Sequence, residues 1–295
     1  MLEIQKVLHL YLEEEKKNPK IFGDYIASEK LNGWYCFVDY DYYKDSWSYV
    51  TSSALRNIPS FFWTKGIFES LPKPKESCRL IMEAIIQGME FEEMNGRFNR
   101  SVGEYSCRDV VFNIHDYIPL ATYFKTLDVK NFAIERYKTL CQLDTSCTNG
   151  VLRIHPILGI SSSKDIWQHY FDEITSQGGE GIVLKQVDSL YVPGKRNSSL
   201  MKMKEEITLD LLCTGAYRTV GEKGHENINL IFTQSAGPDV HVRLAKHSDI
   251  DLFEKDDANF VGRIGEVKAM KIIKGTRALK EPRFVRIRED KVEGE

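Results

Sequence analysis

Apolar and polar positions alternate with different periods along the chain. Over residues 1–20, Ile4, Val7, Leu8, Tyr11 and Leu12 recur at helical spacing, which predicts an amphipathic helix ended by Asn18-Pro19. Residues 34–38 (Trp-Tyr-Cys-Phe-Val) are bulky or β-branched and predict a buried strand. Residues 39–48 predict a loop or an exposed strand pair, 49–59 end a strand and turn, and a helical stretch follows around 67–71. Pro72-Lys73-Pro74-Lys75 is a surface connection. Residues 78–89 form a near-continuous apolar run interrupted by Glu83. A buried strand carries a glutamate only with a partner, so Glu83 faces solvent or a polar pocket. A strand over 110–114 ends at His115-Asp116, and residues 131–143 and 163–177 predict amphipathic helices.

From residue 205 the pattern shifts to short strands with frequent turns, at 208–216, 228–233, 240–245, 264–273 and 283–287. Some 90 residues of this kind predict a small β-barrel such as an OB-fold, with 217–227 as a short barrel loop. The expected class is α+β, with domains at 1–205 and 206–295. At 295 residues the chain is long enough for two such units. No apolar run has the length of a membrane span, and the N-terminus lacks a signal-peptide pattern.

Six cysteines (Cys36, Cys78, Cys107, Cys141, Cys147, Cys213) show no paired spacing, so they read as reduced core residues in a reducing compartment, not as a zinc site. The net charge is −3, but its distribution is uneven. Between 261 and 291 ten basic residues face four acidic ones, while Glu13-Glu14-Glu15 and residues 249–257 collect negative charge. Such segregation permits a phosphate-binding face on a mildly acidic protein.

Candidate chemistry centres on Ser28-Glu29-Lys30-Leu31-Asn32-Gly33. Asn-Gly is a turn signal tolerant of positive φ, so Lys30 is expected on a short loop between two strands. The same residues also fit a surface lysine beside a hairpin turn. Further on, Glu180 lies between glycines and opens the strand Gly181-Ile182-Val183-Leu184-Lys185. In Leu200-Met201-Lys202-Met203-Lys204 the lysines share one strand face about 7 Å apart. Like charges so placed call for an anion between them, and a phosphate is the obvious candidate.

Taken in order, Lys30-Leu31-Asn32-Gly33, Glu83, Glu180 to Lys185, Lys202-Met203-Lys204 and Arg283-Phe284-Val285-Arg286-Ile287-Arg288-Glu289-Asp290-Lys291 resemble the covalent nucleotidyltransferases, specifically the ATP-dependent DNA ligases of compact bacteriophage or viral type. Glu83 to Phe91, followed by Asn95-Gly96-Arg97-Phe98-Asn99-Arg100, is similar to the matching segment of bacteriophage enzymes. The resemblance implies an adenylation domain of antiparallel sheets with flanking helices, followed by an OB-fold.

It also implies a chemistry, with ATP and Mg²⁺ (Mn²⁺ substituting) as cofactors. Lys30 becomes the AMP-lysine nucleophile, and the AMP passes to the 5′-phosphate of a nick in duplex DNA. Lys202 and Lys204 hold the α-phosphate and count as catalytic with Arg288. Glu180 binds the metal, with Glu83 as its second ligand and as acceptor from the ribose. Ser28 contacts the adenine amine, and His115 takes the place of an aromatic ring stacked on adenine. Glu29, Asn32 and Lys185 complete the nucleotide contacts, while Arg288 and Lys291 close over the β,γ-phosphates. Tyr35, Ser53, Arg56, Lys195, Arg196 and Arg286 face DNA, which is held weakly and salt-sensitively through 185–204 and 261–291.

Three departures stand out. Asn32 replaces an aspartate, Tyr35 replaces an arginine near the nick, and Ser53 falls where an arginine is usual, although Arg56 is close by. They bear on the nick-phosphate clamp. An RNA ligase, a GTP-dependent mRNA capping enzyme and a non-catalytic nick-binding relative are the alternative readings. A monomer in the cytoplasm, or the host cytoplasm if viral, with no membrane association, completes the expectation.

Overall fold

The structure is a computed structural model that describes residues 5–10, 14, 16–51, 64–98, 108–123, 131–221, 224–273, 275–291 and 294. Two compact units divide the chain, Met1–Lys204 and Glu205–Glu295. The fold is mixed α+β, as expected.

In the first unit the strands are β1 (Lys6–His9), β2 (Tyr25–Glu29), β3 (Trp34–Asp41), β4 (Ser46–Thr51), β5 (Cys78–Ile86), β6 (Val110–Pro119), β7 (Leu152–Ile154), β8 (Ile157–Ser161), β9 (Gly181–Gln186) and β10 (Arg196–Lys204). The helices are α1 (Lys65–Glu69), α2 (Phe91–Phe98), α3 (Leu120–Tyr123), α4 (Ala133–Cys141) and α5 (Lys164–Ser176). One sheet has the order β1-β10-β9-β2-β8, the other β4-β3-β5-β6-β7.

Period-two alternation builds each sheet's apolar face. Along β5, Cys78, Leu80, Met82, Ala84 and Ile86 enter a core with Cys36, Val38 and Tyr40 of β3 and Met94 and Phe98 of α2. That leaves Arg79, Ile81 and Glu83 on the opposite face, which resolves the near-continuous apolar run into a two-sided strand. The other sheet packs Tyr25, Ala27, Ile182, Leu184 and Met201 with Trp167 of α5, whose indole lies edge-on to Tyr25 at 5.2 Å.

Three local expectations change. Residues 6–9 form a strand parallel to β10, not part of a helix. The edge of β10 supplies backbone partners, and Leu8 is buried against that sheet's core, so tertiary pairing overrides the helical spacing. Lys30 does not sit on a hairpin, because β2 and β3 belong to different sheets and residues 30–33 cross between them. Neither Asn32 nor Gly33 takes positive φ. Gly33 is needed for close approach instead: a Cβ there would lie 2.5 Å from Ile85 Cγ2 and 2.8 Å from the Ala84 carbonyl oxygen. The cysteines are also not all core residues, since Cys141 and Cys147 are exposed, although the five described ones are free.

The second unit contains β11 (Ile207–Val220), β12 (Glu226–Thr233), β13 (Val240–Arg243), α6 (His247–Lys255), β14 (Ile264–Ala269), β15 (Lys271–Ile272), β16 (Leu279–Lys280) and β17 (Arg283–Ile287). Its main sheet runs β13-β12-β11-β14-β17, and its edge strands β13 and β17 approach one another, so the sheet curls without a ladder closing it among the described residues. Residues 217–220 and 226–227 extend the β11–β12 ladder, so the expected loop narrows to the hairpin tip. Among the described residues no helix is long and apolar enough to cross a membrane.

Candidate active site

The two sheets of the first unit face each other across a cavity of about 290 Å³. Ser28, Glu29, Val183, Lys185 and Lys202 line it from one sheet; Tyr35, Ile81, Glu83, His115 and Asp116 line it from the other. Lys30 sits on the crossing between them. Its peptide N–H donates to the Gly181 carbonyl at 2.8 Å. The Lys30 Nζ lies 2.8 Å from Glu180 Oε2, both side chains being largely buried. Gly181 adopts φ +139°, and a Cβ there would stand 2.2 Å from the Met203 carbonyl oxygen, so the strand opening beside Glu180 requires glycine.

Glu83 turns into this cavity and accepts the Gly33 N–H at Oε1, 3.1 Å away. Burial pushes its carboxyl up to about 7, Lys30 and the Gly33 N–H pull it down, and Glu180 pushes it further up. The cavity therefore holds the Lys30 amine and Glu83, a carboxylate that resists ionising, with Glu180 beside the amine.

A β-bulge shapes the opposite wall. Ile81 pairs with Asp116 and Met82 with Ile114, leaving His115 as the extra residue. The strand thus continues to Pro119 where the sequence pattern ended it at His115. The bulge brings both His115 and Asp116 to the cavity. The His115 ring lies 5.9 Å from that of Tyr35. Burial, helped by Lys185, lowers its imidazole to about 3, so the ring is neutral. Tyr35 lines the cavity, and its hydroxyl bonds to that of Tyr191.

Beneath the wall, Asp116 accepts Arg136 Nε at 2.9 Å and Lys185 Nζ at 2.7 Å. Burial alone would raise the Asp116 carboxyl, but these two cations hold it well below the usual carboxylate range. Burial in turn lowers the Lys185 amine against the pull of Asp116. Lys185 also donates to the His115 carbonyl at 3.1 Å, so it braces the bulge.

Of the other predicted residues, Asn32 and Lys204 do not line the cavity. Lys195 and Arg196 are exposed at the start of β10. Ser53 and Arg56 lie outside the described residues. In the second unit Arg288 donates to both oxygens of Asp210, at 3.0 and 2.8 Å, and to Asp290 at 2.7 Å, and Lys291 also pairs with Asp210. Arg286 is exposed and pairs with Glu266 at 2.8 Å.

Asp116, Arg136, Tyr191 and His155 escaped the sequence reading. A signal existed for Arg136, which falls with Ala133 and Leu140 at core spacing on α4, where an arginine needs a carboxylate. Nothing in the sequence marks His155.

Residues 24–204 match the family model described as the ATP dependent DNA ligase domain. The DNA ligase of Enterobacteria phage T4 is 29% identical over 128 residues, covering 42% of this chain and 25% of that protein. DNA ligase 1 of Korarchaeum cryptofilum is 27% identical over 167 residues, covering 53% and 30%. The chain thus spans under a third of the length of these relatives. Among solved structures, one from a structure–function study of DNA binding with a minimal scaffold by Lig E DNA ligases superposes with a TM-score of 0.67 at 17% identity, covering 98% of this chain and 100% of that one. The ATP-dependent ligase from bacteriophage T7 in complex with ATP gives 0.55 at 15%, covering 97% and 98%. The fold is shared along nearly the full chain, and the family match takes in the crossing, both carboxylates and Lys202: the chain belongs to the ATP dependent DNA ligase domain family.

Proposed function

We propose that the protein is an ATP-dependent DNA ligase that seals nicks in duplex DNA through a lysyl-AMP intermediate. The observation that carries this reading is the Lys30 amine, held on the crossing between two sheets beside Glu180 in a cavity that Glu83 and Lys202 also line. Attack requires the free amine, and Glu180 is the carboxylate within reach of its proton. The Lys30 nitrogen forms a bond to the α-phosphorus as the bond to the bridging oxygen breaks, and pyrophosphate leaves. A 5′-phosphate oxygen of the nick then takes the adenylyl group from Lys30. The 3′-hydroxyl finally attacks that 5′-phosphate and AMP departs. Lys202 offsets the charge that builds on the α-phosphate.

The neutral His115 ring and Tyr35 offer an apolar wall to a base, with Ser28 and Glu29 nearby. Glu180 and Glu83 suit Mg²⁺ or Mn²⁺, which take carboxylate oxygens and keep waters. Bound there, the ion would supply charge neutralisation at the phosphates. The difficulty of ionising Glu83 beside Glu180 supports this fit, since a cation relieves it. Nicked DNA approaches through exposed basic residues such as Lys195, Arg196 and Arg286, and its binding weakens with salt. The enzyme acts as a monomer in the cytoplasm, a compartment suited to its free cysteines.

Intact mass after incubation with Mg²⁺ and ATP or GTP, beside Lys30→Ala, tests the reading. A gain of one AMP from ATP alone, lost in the variant, is expected, followed by sealing of a nicked duplex. A GMP gain would move the assignment to capping chemistry. No gain with either nucleotide would leave a non-catalytic nick-binding protein.

A further inference from the structure

The peptide group joining Glu29 to Lys30 is anchored at both ends. Its N–H donates to the Gly181 carbonyl at 2.8 Å. Its carbonyl oxygen, that of Glu29, lies 2.9 Å from His155 Nε2. A carbonyl can only accept, so this contact sets the His155 tautomer with hydrogen on Nε2. His155 is itself fixed, being 5% exposed and donating its backbone N–H to the Ile114 carbonyl at 2.8 Å. Ile114 immediately precedes the bulged His115 on the opposite sheet. His155 therefore ties the end of β2, one residue before the amine, to the bulge that forms the facing wall. Hydrogen bonds at both ends of one amide polarise each other, and the peptide plane that aims the Lys30 side chain is held from both sheets.

From this we infer that His155 is a positioning residue for the Lys30 nucleophile, acting through the Glu29 carbonyl without touching the reacting atoms. The inference rests on the reading of Lys30 as the residue that takes up AMP. It requires an N–H donor at the Nε2 position and not an imidazole as such. Glutamine places an amide N–H near where Nε2 sits, whereas asparagine is too short to reach the Glu29 oxygen.

The test compares His155→Gln and His155→Asn with the unaltered protein, by single-turnover AMP uptake in Mg²⁺ across a range of ATP concentrations. Misplacing a reacting group by about 1 Å costs on the order of 10²-fold in rate. His155→Asn should lose roughly that factor at saturating ATP while its half-saturating ATP concentration stays within about threefold. His155→Gln should recover most of the rate, and thermal midpoints of both variants show whether each is folded. If His155→Asn does not fold, His155→Phe replaces it as the variant without a donor. A folded donor-less variant with the unaltered rate, or a glutamine variant as slow as it, overturns the inference. Failure of the unaltered protein to take up AMP would instead overturn the ligase reading, so the two failures are distinguishable.

Discussion

Glu180 Oε2 stands 2.8 Å from Lys30 Nζ, one residue before the Gly181 carbonyl that accepts the Lys30 N–H at the same distance. On the proposed reading of Lys30 as nucleophile, the carboxylate competes for the same amine that must be freed for attack. Positioned proton acceptors contribute about 10²- to 10⁴-fold. Glu180→Gln keeps the size and a hydrogen bond but cannot take a proton. It should slow AMP uptake by roughly 10²-fold or more, and raise the Mg²⁺ concentration needed for half-maximal rate. Unchanged uptake in a rapid-quench assay would remove Glu180 from the chemistry.

Glu83 gives a pH dependence. Its carboxyl titrates near 7 in the folded protein, above its ordinary value of 4.5. A raised carboxyl favours the folded state while protonated, so that contribution is present below about pH 4.5 and is lost as pH rises towards 7. Glu83→Gln should thus be more stable than the natural protein at pH 8, by on the order of 1 kcal/mol, with the difference fading in acid. The natural protein's kcat/KM for ATP should rise as Glu83 ionises near pH 7, and Glu83→Gln should lack that limb. Denaturant titrations at two pH values and a pH–rate profile check both.

Asp116 sits between Arg136 and Lys185, and removing it strands two cations, one of them 2% exposed. Breaking a buried pair from one side costs about 3–5 kcal/mol. Asp116→Ala should lose stability of that order at pH 7, read from urea unfolding. Because the Asp116 carboxyl is held below its ordinary value of 3.8, its contribution is full above that value and is lost progressively as pH falls from there through the lowered one. A loss under 1 kcal/mol would show that the cations find other partners.

Gly181→Ala should be severe. Its φ of +139° disfavours any side chain, and the added carbon would overlap the Met203 carbonyl oxygen, which is backbone and cannot swing away. Strain of this kind costs about 1–3 kcal/mol. Relief requires β9 to shift from β10, which also moves the carbonyl that accepts the Lys30 N–H. Thermal midpoint and AMP uptake should fall together, and a stable, fully active variant would refute the close-packing argument.

The residues that carry charge in unusual company were legible early. Glu83 stood out because an apolar run does not host a carboxylate idly, and Glu180 because glycines framed it. The pairing of sheets was not legible. Asn32-Gly33 reads as a hairpin turn by local chemistry, but the glycine answers to Ile85 and Ala84, fifty residues away in sequence. The same holds for residues 6–9, too short for strand periodicity to outweigh helical spacing, and paired with β10 only once the chain has folded. His155 had no local signature because its role is one hydrogen bond to a backbone carbonyl, 126 residues distant.

Because the Lys30 loop passes from one sheet to the other, the amine rides on a seam. Glu180 adjoins the sheet on one side of it and Glu83 belongs to the sheet on the other. Any ligand that draws the sheets together, or any distant substitution that wedges them apart, alters the distance from the amine to both carboxylates at once. Inter-sheet spacing and the placement of the amine between its two carboxylates are thereby geared to each other. A substitution far from the cavity that shifts one sheet against the other would register as a change in how the amine is aimed.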